Sequence, residues 1–136
     1  MPVSFPATPG MLQTPAYHHV AVAAGTRQVH IAGQVGRDVD GAPLTPDDLS
    51  GQVGRALRAT GRGLAAAGAG FSDVVRLTFY VVDWQAEQIG DLMTGIAAVA
   101  DELGLPQPMP PASLIGVQAL YEPGVLVEVE ATAVLP

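Results

Sequence analysis

The chain has 136 residues, 49% of them hydrophobic and only 5% aromatic, with a formal net charge of −7. That length suits one domain, whose core must come from small aliphatic side chains, so burial at an oligomer interface is one way to gain area. All six basic residues are arginine and cysteine is absent, which excludes a lysine Schiff base, a thiolate nucleophile, a disulfide frame and a thiolate metal site, while the lack of a basic cluster argues against nucleic acid.

The first 16 residues, with their prolines, read as an extended arm on a single domain spanning 1–136. They lack the basic start of a secretory leader, and no apolar run approaches the ~18 residues of a membrane span. A cytoplasmic location is the expectation. "YHHVAVAAGTRQVHIAGQVG" reads as two strands around a Gly-Thr turn, with Val29 and Ile31 alternating with Gln28 and His30. "RDVDGAPL" carries an Asp-Gly turn signal.

A helix follows in "TPDDLSGQVGRALRATGRGLAAAG". Thr45 is expected as its N-cap, Pro46 as its first residue, and Asp47 and Asp48 in the first turn. Leu49, Val53, Leu57 and Leu64 share one stripe. Arg55, Arg58 and Arg62 share another, whose plain reading is a solvated face. "SDVVRLTFYVVD" is the strongest strand signal. A second helix, expected to be capped by Asp83 and stopped by Gly104, buries Ile89, Leu92, Met93, Ile96, Val99 and Leu103. Prolines 106, 108, 110 and 111 then forbid helix. "ASLIGVQAL" and "VLVEVEATAV" are the closing strands, joined through "YEPG".

Each helix thus links two strands, which predicts an α+β two-layer sandwich: a mixed sheet of about six strands with two helices on one face. Val125, Val127, Val129, Ala131 and Ala133 share one face of the last strand. Leu126, Glu128, Glu130, Thr132 and Val134 share the other, which also needs cover.

Glu128 and Glu130 point the same way. They are either ordinary charges on an exposed face or carboxylates beside a pocket, able to act as base or hold water. His18 and His19 are adjacent and so point to opposite faces. His30 could approach them across the hairpin, but no ligand spacing supports a metal site. Tyr17 could hydrogen-bond a ligand or cap a sheet edge. Gly33 in "AGQVG" ends a strand and precedes a turn, so it suits close backbone approach and not a dinucleotide fingerprint.

The segments from Tyr17 to Ala133 together resemble the RidA/YjgF family of reactive-intermediate deaminases, also called L-PSP endoribonucleases. The carrying motifs are the tyrosine before a strand, "VHIAGQVG", "AAAGAGFSDVVRLTFYVVD" and "VEVEATAV". The resemblance implies a chorismate-mutase-like fold in a homotrimer with a barrel-like core and ligand clefts between subunits. It implies hydrolysis of enamines and imines to keto acids and ammonia, with no metal or cofactor. The older family name suggests a nuclease, but the net charge of −7 and the lack of a basic patch argue against a nucleic-acid partner, and the absence of a long apolar run argues against a membrane one. The resemblance makes Glu128 the catalytic glutamate that positions water, and Tyr17, Ala32, Gly33, Asp91, Ala112 and Leu114 the substrate-binding positions. Ala32 replaces a serine, Asp91 an asparagine and Leu114 a cysteine that acts through its backbone.

The largest departure is at "PPAS" (110–113), where the family reads Pro-Ala-Arg-Ser. Ala112 stands in the slot of the arginine that grips a substrate carboxylate. Losing such a bidentate pair costs on the order of 2–5 kcal/mol of binding. Ordinary 2-imino-acid deamination is therefore doubtful, and three readings follow. The chain binds, and possibly hydrolyses, a neutral or cationic small molecule. Alternatively, it is a true 2-imino-acid or 2-aminoacrylate deaminase with another anchor such as Arg37. Or it is a non-catalytic binding or scaffolding trimer.

Overall fold

The computed structural model describes residues 3–38, 40–41 and 44–136. Its strands are β1 (Val3–Ser4), β2 (Val22–Ala23), β3 (Arg27–Val35), β4 (Val74–Val82), β5 (Ala112–Val117) and β6 (Val127–Leu135). The helices are α1 (Leu49–Ala66) and α2 (Ile89–Leu103), each preceded or followed by short irregular turns. The main sheet has four strands in the order β3-β6-β4-β5. Only β4–β5 is parallel. The α+β two-layer sandwich with a mixed sheet is therefore as the sequence predicts.

The expectation of a hairpin at its start needs correction. β2 pairs not with β3 but with β1 of the arm, as a separate two-stranded ribbon. Two residues give too little apolar alternation to demand a place in the main sheet. The sequence's six strands are thus four plus two. The arm is also tied to the proline segment. Tyr17 and Met109 form an isolated parallel bridge, with the His18 and Met109 amides donating to Met109 and Ala16 carbonyls at 2.8 and 2.9 Å.

Both helix starts are later than expected. Asp47 adopts a left-handed φ of 54°, which turns the chain before the helix. Asp48 then caps α1, its carboxylate accepting from the Gly51 amide at 2.9 Å. Thr45 lies outside the helix, where its carbonyl accepts from Gln52. Asp83 is likewise no cap: it too is left-handed (φ 48°), and its amide closes the end of β4 by donating to Val117. A 3-10 turn at Ala86–Gln88 separates it from α2. Gly104, at φ 65°, ends α2 as the sequence demands. The Asp40–Gly41 turn signal is partly visible, the Gly41 amide donating to Asp38 at 2.9 Å; the neighbouring Val39, Ala42 and Pro43 lie outside the described residues.

The core sits between one sheet face and the helices. Val127, Val129, Ala131 and Ala133 of β6 and Leu77, Phe79 and Val81 of β4 pack against Val53, Leu57 and Leu64 of α1 and Leu92, Ile96 and Val99 of α2. The helices cross closely. A methyl at Gly95 would lie 2.5 Å from the Ser50 carbonyl oxygen, and one at Gly54 would press on Val99. Gln52, fully buried, is the polar node of this layer. Its amide donates to the Thr45 and Gly124 carbonyls and accepts from Leu126 at 2.9 Å, so all three groups are satisfied without water. The arginine stripe is mixed. Arg58 pairs with Glu102 at 2.8 Å on the surface, as a solvated face should, whereas Arg55 is half-buried beside Thr45. No helix is long and apolar enough to cross a membrane, among the described residues.

Candidate functional site

The sequence-chosen residues separate into two groups on opposite sides of the sheet. The first group lies on the face away from the helices. Register pairs Tyr80 with Glu128, Thr78 with Glu130, and Arg76 with Thr132, which puts these side chains on one surface. Between Ile31 and Gln34 of β3 there is one residue more than in the facing stretch of β6, a bulge at Ala32–Gly33. Gly33 leaves the space there that the end of the Glu128 side chain occupies. A methyl on its Cα would collide with the Glu128 carboxylate, which lies directly over the backbone. Ala32, beside it, is exposed.

The two carboxylates differ in engagement. The Tyr80 hydroxyl donates to Glu130 at 2.6 Å, and that hydrogen bond, with burial and the same negative charge, raises the phenol above its ordinary pKa. Glu128 has no side-chain hydrogen bond among the described residues. It is half-buried, against the Gly33 backbone. Arg76 reaches along the same face and donates to the Ser113 hydroxyl.

The second group lines a small cavity of about 110 Å³ at the other edge of the sheet, on the helix side. Its floor is Phe79, Leu92, Ile96 and Met109, none more than 4% exposed. Tyr17, Ala112 and Leu114 form its walls, and the half-exposed Ile89 stands at its mouth. Ile89 was expected to be buried on the α2 face; the 3-10 turn before it carries it to the surface. The Tyr17 hydroxyl makes no hydrogen bond among the described residues and meets His19 only edge-on, 5.4 Å between rings.

β5 is an edge strand. The Leu77 amide donates to Pro111 and the Asp83 amide to Val117, so the odd-numbered residues of β5 bond inward to β4. By the parallel ladder pattern, the N–H and C=O of Ala112 and Leu114 point to the open edge, beside the cavity. Asp91 belongs to neither group. It is exposed in the first turn of α2, and only its carbonyl is engaged, accepting from Ser50 at 2.7 Å.

The histidines do not converge. His18 stacks on Phe5 at 4.0 Å, His19 donates to the Leu12 carbonyl, and His30 bonds Gln28 on the far sheet face. No group of three or more metal-ligating side chains occurs among the described residues. Arg37 is held by Glu122 at 2.6 Å, which keeps its guanidinium protonated beyond its ordinary range. A wider cleft of about 630 Å³ under the arm is lined by Phe5, Gln13, His18 and His19. Its polar groups are largely one another's partners, Gln13 donating to Thr8 and Met11.

The chain is thus an α+β sandwich with a carboxylate over a glycine bulge on its open sheet face and an apolar pocket at its parallel edge. The sequence profile described as Endoribonuclease L-PSP matches residues 11–135. The chain belongs to this RidA/YjgF family. It is 33% identical to YyfB of Yersinia pestis, a Rid-family protein of unknown function, over 99% of this chain and 100% of that one, with a TM-score of 0.86. Rv2704 of Mycobacterium tuberculosis is 31% identical over 88% of this chain and 86% of its own, with a TM-score of 0.62. The YjgF gene product of E. coli, 23% identical with a TM-score of 0.68 and coverage of 97% and 94%, shares the fold. A search of curated proteins finds no match.

Proposed function

We propose that the chain is a homotrimeric RidA-family protein whose ligand site is completed between copies, and that it hydrolyses an enamine or imine there. One observation supports this most. Glu128 and Gly33 lie on the open sheet face near the β3 edge, whereas Tyr17, Ala112 and Leu114 surround a pocket on the helix side at the β5 edge. Among the described residues the two groups lie on opposite faces of the sheet, so a reaction that uses both needs a neighbouring copy. The open sheet face also needs cover, since Val134 and Leu126 share it with the polar residues.

The chemistry is hydrolytic. Glu128 takes a proton from a water whose oxygen adds to the imine carbon. Glu128 returns that proton to nitrogen to give the carbinolamine, then accepts the hydroxyl proton and passes it to the amine as the C–N bond breaks, leaving a carbonyl compound and ammonia. The N–H groups of the Gly33 strand and of the β5 edge orient the substrate, and no metal or cofactor takes part. Arg37 is a poor substitute anion anchor, since it would first have to leave Glu122.

Subunit mixing tests the reading. Glu128→Gln and Ala112→Phe should each abolish hydrolysis of neutral imines, and co-refolded mixtures of the two should recover part of it. Absence of recovery from two correctly folded trimers would exclude a shared site. Glu128→Gln with full activity would remove Glu128 from the reaction, and no hydrolysis by the native protein would leave a binding or scaffolding role.

A further inference from the structure

We infer that the pocket at the β5 edge selects an uncharged ligand group, a branched alkyl chain of three or four carbons carrying a carbonyl, imine or amide. This rests on the reading above and names the substrate class of the same site. Apart from the Tyr17 phenol, no side chain that lines the pocket can ionise. Its floor is almost completely removed from water, so an anion entering it would lose hydration with no cation to replace it. Arg76 cannot help from where it is. It lies on the far face of the sheet and donates to Ser113, whose side chain alternates away from Ala112 and Leu114.

Size narrows the class. A dry apolar cavity of roughly 150 Å³ holds benzene; this one, at about 110 Å³, suits an isobutyl or similar group. The polar features lie at the rim: the Tyr17 hydroxyl and the outward N–H and C=O groups of Ala112 and Leu114. One donor-acceptor strand edge beside an apolar slot matches a neutral headgroup that both accepts and donates. Met93 and Met109, both against the cavity, let it adapt to branching.

A set of probes with one shape and three charges tests this. The native protein should bind 3-methylbutanamide at least tenfold more tightly than 3-methylbutanoate or 3-methylbutylamine. The amide should shift the methyl NMR signals of Ile89, Met93 and Met109. Ala112→Arg should reverse the order towards 3-methylbutanoate, and Ala112→Phe should remove binding, with circular dichroism confirming that both variants fold. Equal or tighter binding of the carboxylate by native protein would overturn the inference, as would no binding of any probe or shifts confined to other methyls. Glu128→Gln separates the two proposals. If it keeps amide binding while hydrolysis is absent in native protein too, the enzymatic reading fails and the pocket's preference stands. If imines are hydrolysed but the amide does not bind, only the preference fails.

Discussion

Gly33 is the residue on which the open-face site depends, because the space of its missing side chain is occupied by the Glu128 carboxylate. Gly33→Ala must push that carboxylate aside. The expected result is a loss of imine hydrolysis of up to about a hundredfold, the scale of a small misplacement of a catalytic group. Binding of 3-methylbutanamide, whose alkyl group is held by the β5-edge pocket, should fall much less than the hydrolytic rate. Parallel kinetics and isothermal titration on the one variant check both halves. Glu128 was legible from the sequence as one of two carboxylates on one face. Which of the two is free was not, because that depends on Tyr80, fifty positions before Glu130, donating to one of them.

At the scale of elements, the helix starts show how a local signal can be satisfied in more than one way. Thr45-Pro46 is a good start by composition, yet Asp47 turns the chain and Asp48 caps the helix. Asp48→Ala should therefore cost about 0.5–2 kcal/mol of unfolding free energy, and Thr45→Ala much less, in urea melts. The glycines of α2 divide similarly. Gly95→Ala forces a methyl onto the α1 backbone and should destabilise by about 1–3 kcal/mol. Gly90→Ala, with nothing within 4 Å of the new methyl, should be neutral or stabilise by up to about 1 kcal/mol, since it removes a glycine from a helix. Equal effects of the two in thermal melts would contradict the close helix crossing. The need for a small residue at 95 is invisible in the chain order, because its partner, Ser50, belongs to the other helix.

Across the whole molecule, two surface pairs, Arg58–Glu102 and Arg37–Glu122, join carboxylates to arginines. A hydrogen bond from Arg58 lowers the pKa of Glu102, and hydrogen bonds from Arg37 and Tyr121 lower that of Glu122. A carboxylate with a depressed folded-state pKa contributes stability above its unfolded pKa, near 4.3, and loses it as pH falls through the folded value. Melting temperature should thus be insensitive to these pairs near neutrality and fall below about pH 4.3. Glu102→Gln with Glu122→Gln should make that fall shallower. Both pairs are partly exposed, so the difference should be small and shrink further in salt.

Local pattern determined much by itself. Alternation in "VEVEATAV", the β-branched run before Asp83 and the stop at Gly104 fixed three elements, because each depends on neighbours in the chain. The motif order identified the family. Long-range pairing decided the rest. Only the register of β4 with β5 and β6 puts Glu128 and Ala112 on opposite faces, and only the joining of the arm to Met109 brings Tyr17 to the pocket wall. Phe79, Leu92 and Met109 were legible as apolar but not as one cavity, since three separate elements must pack before the space between them exists. A strand's period says which residues share a face. It does not say which strand lies beside it, because that is set by burial summed over the whole sheet.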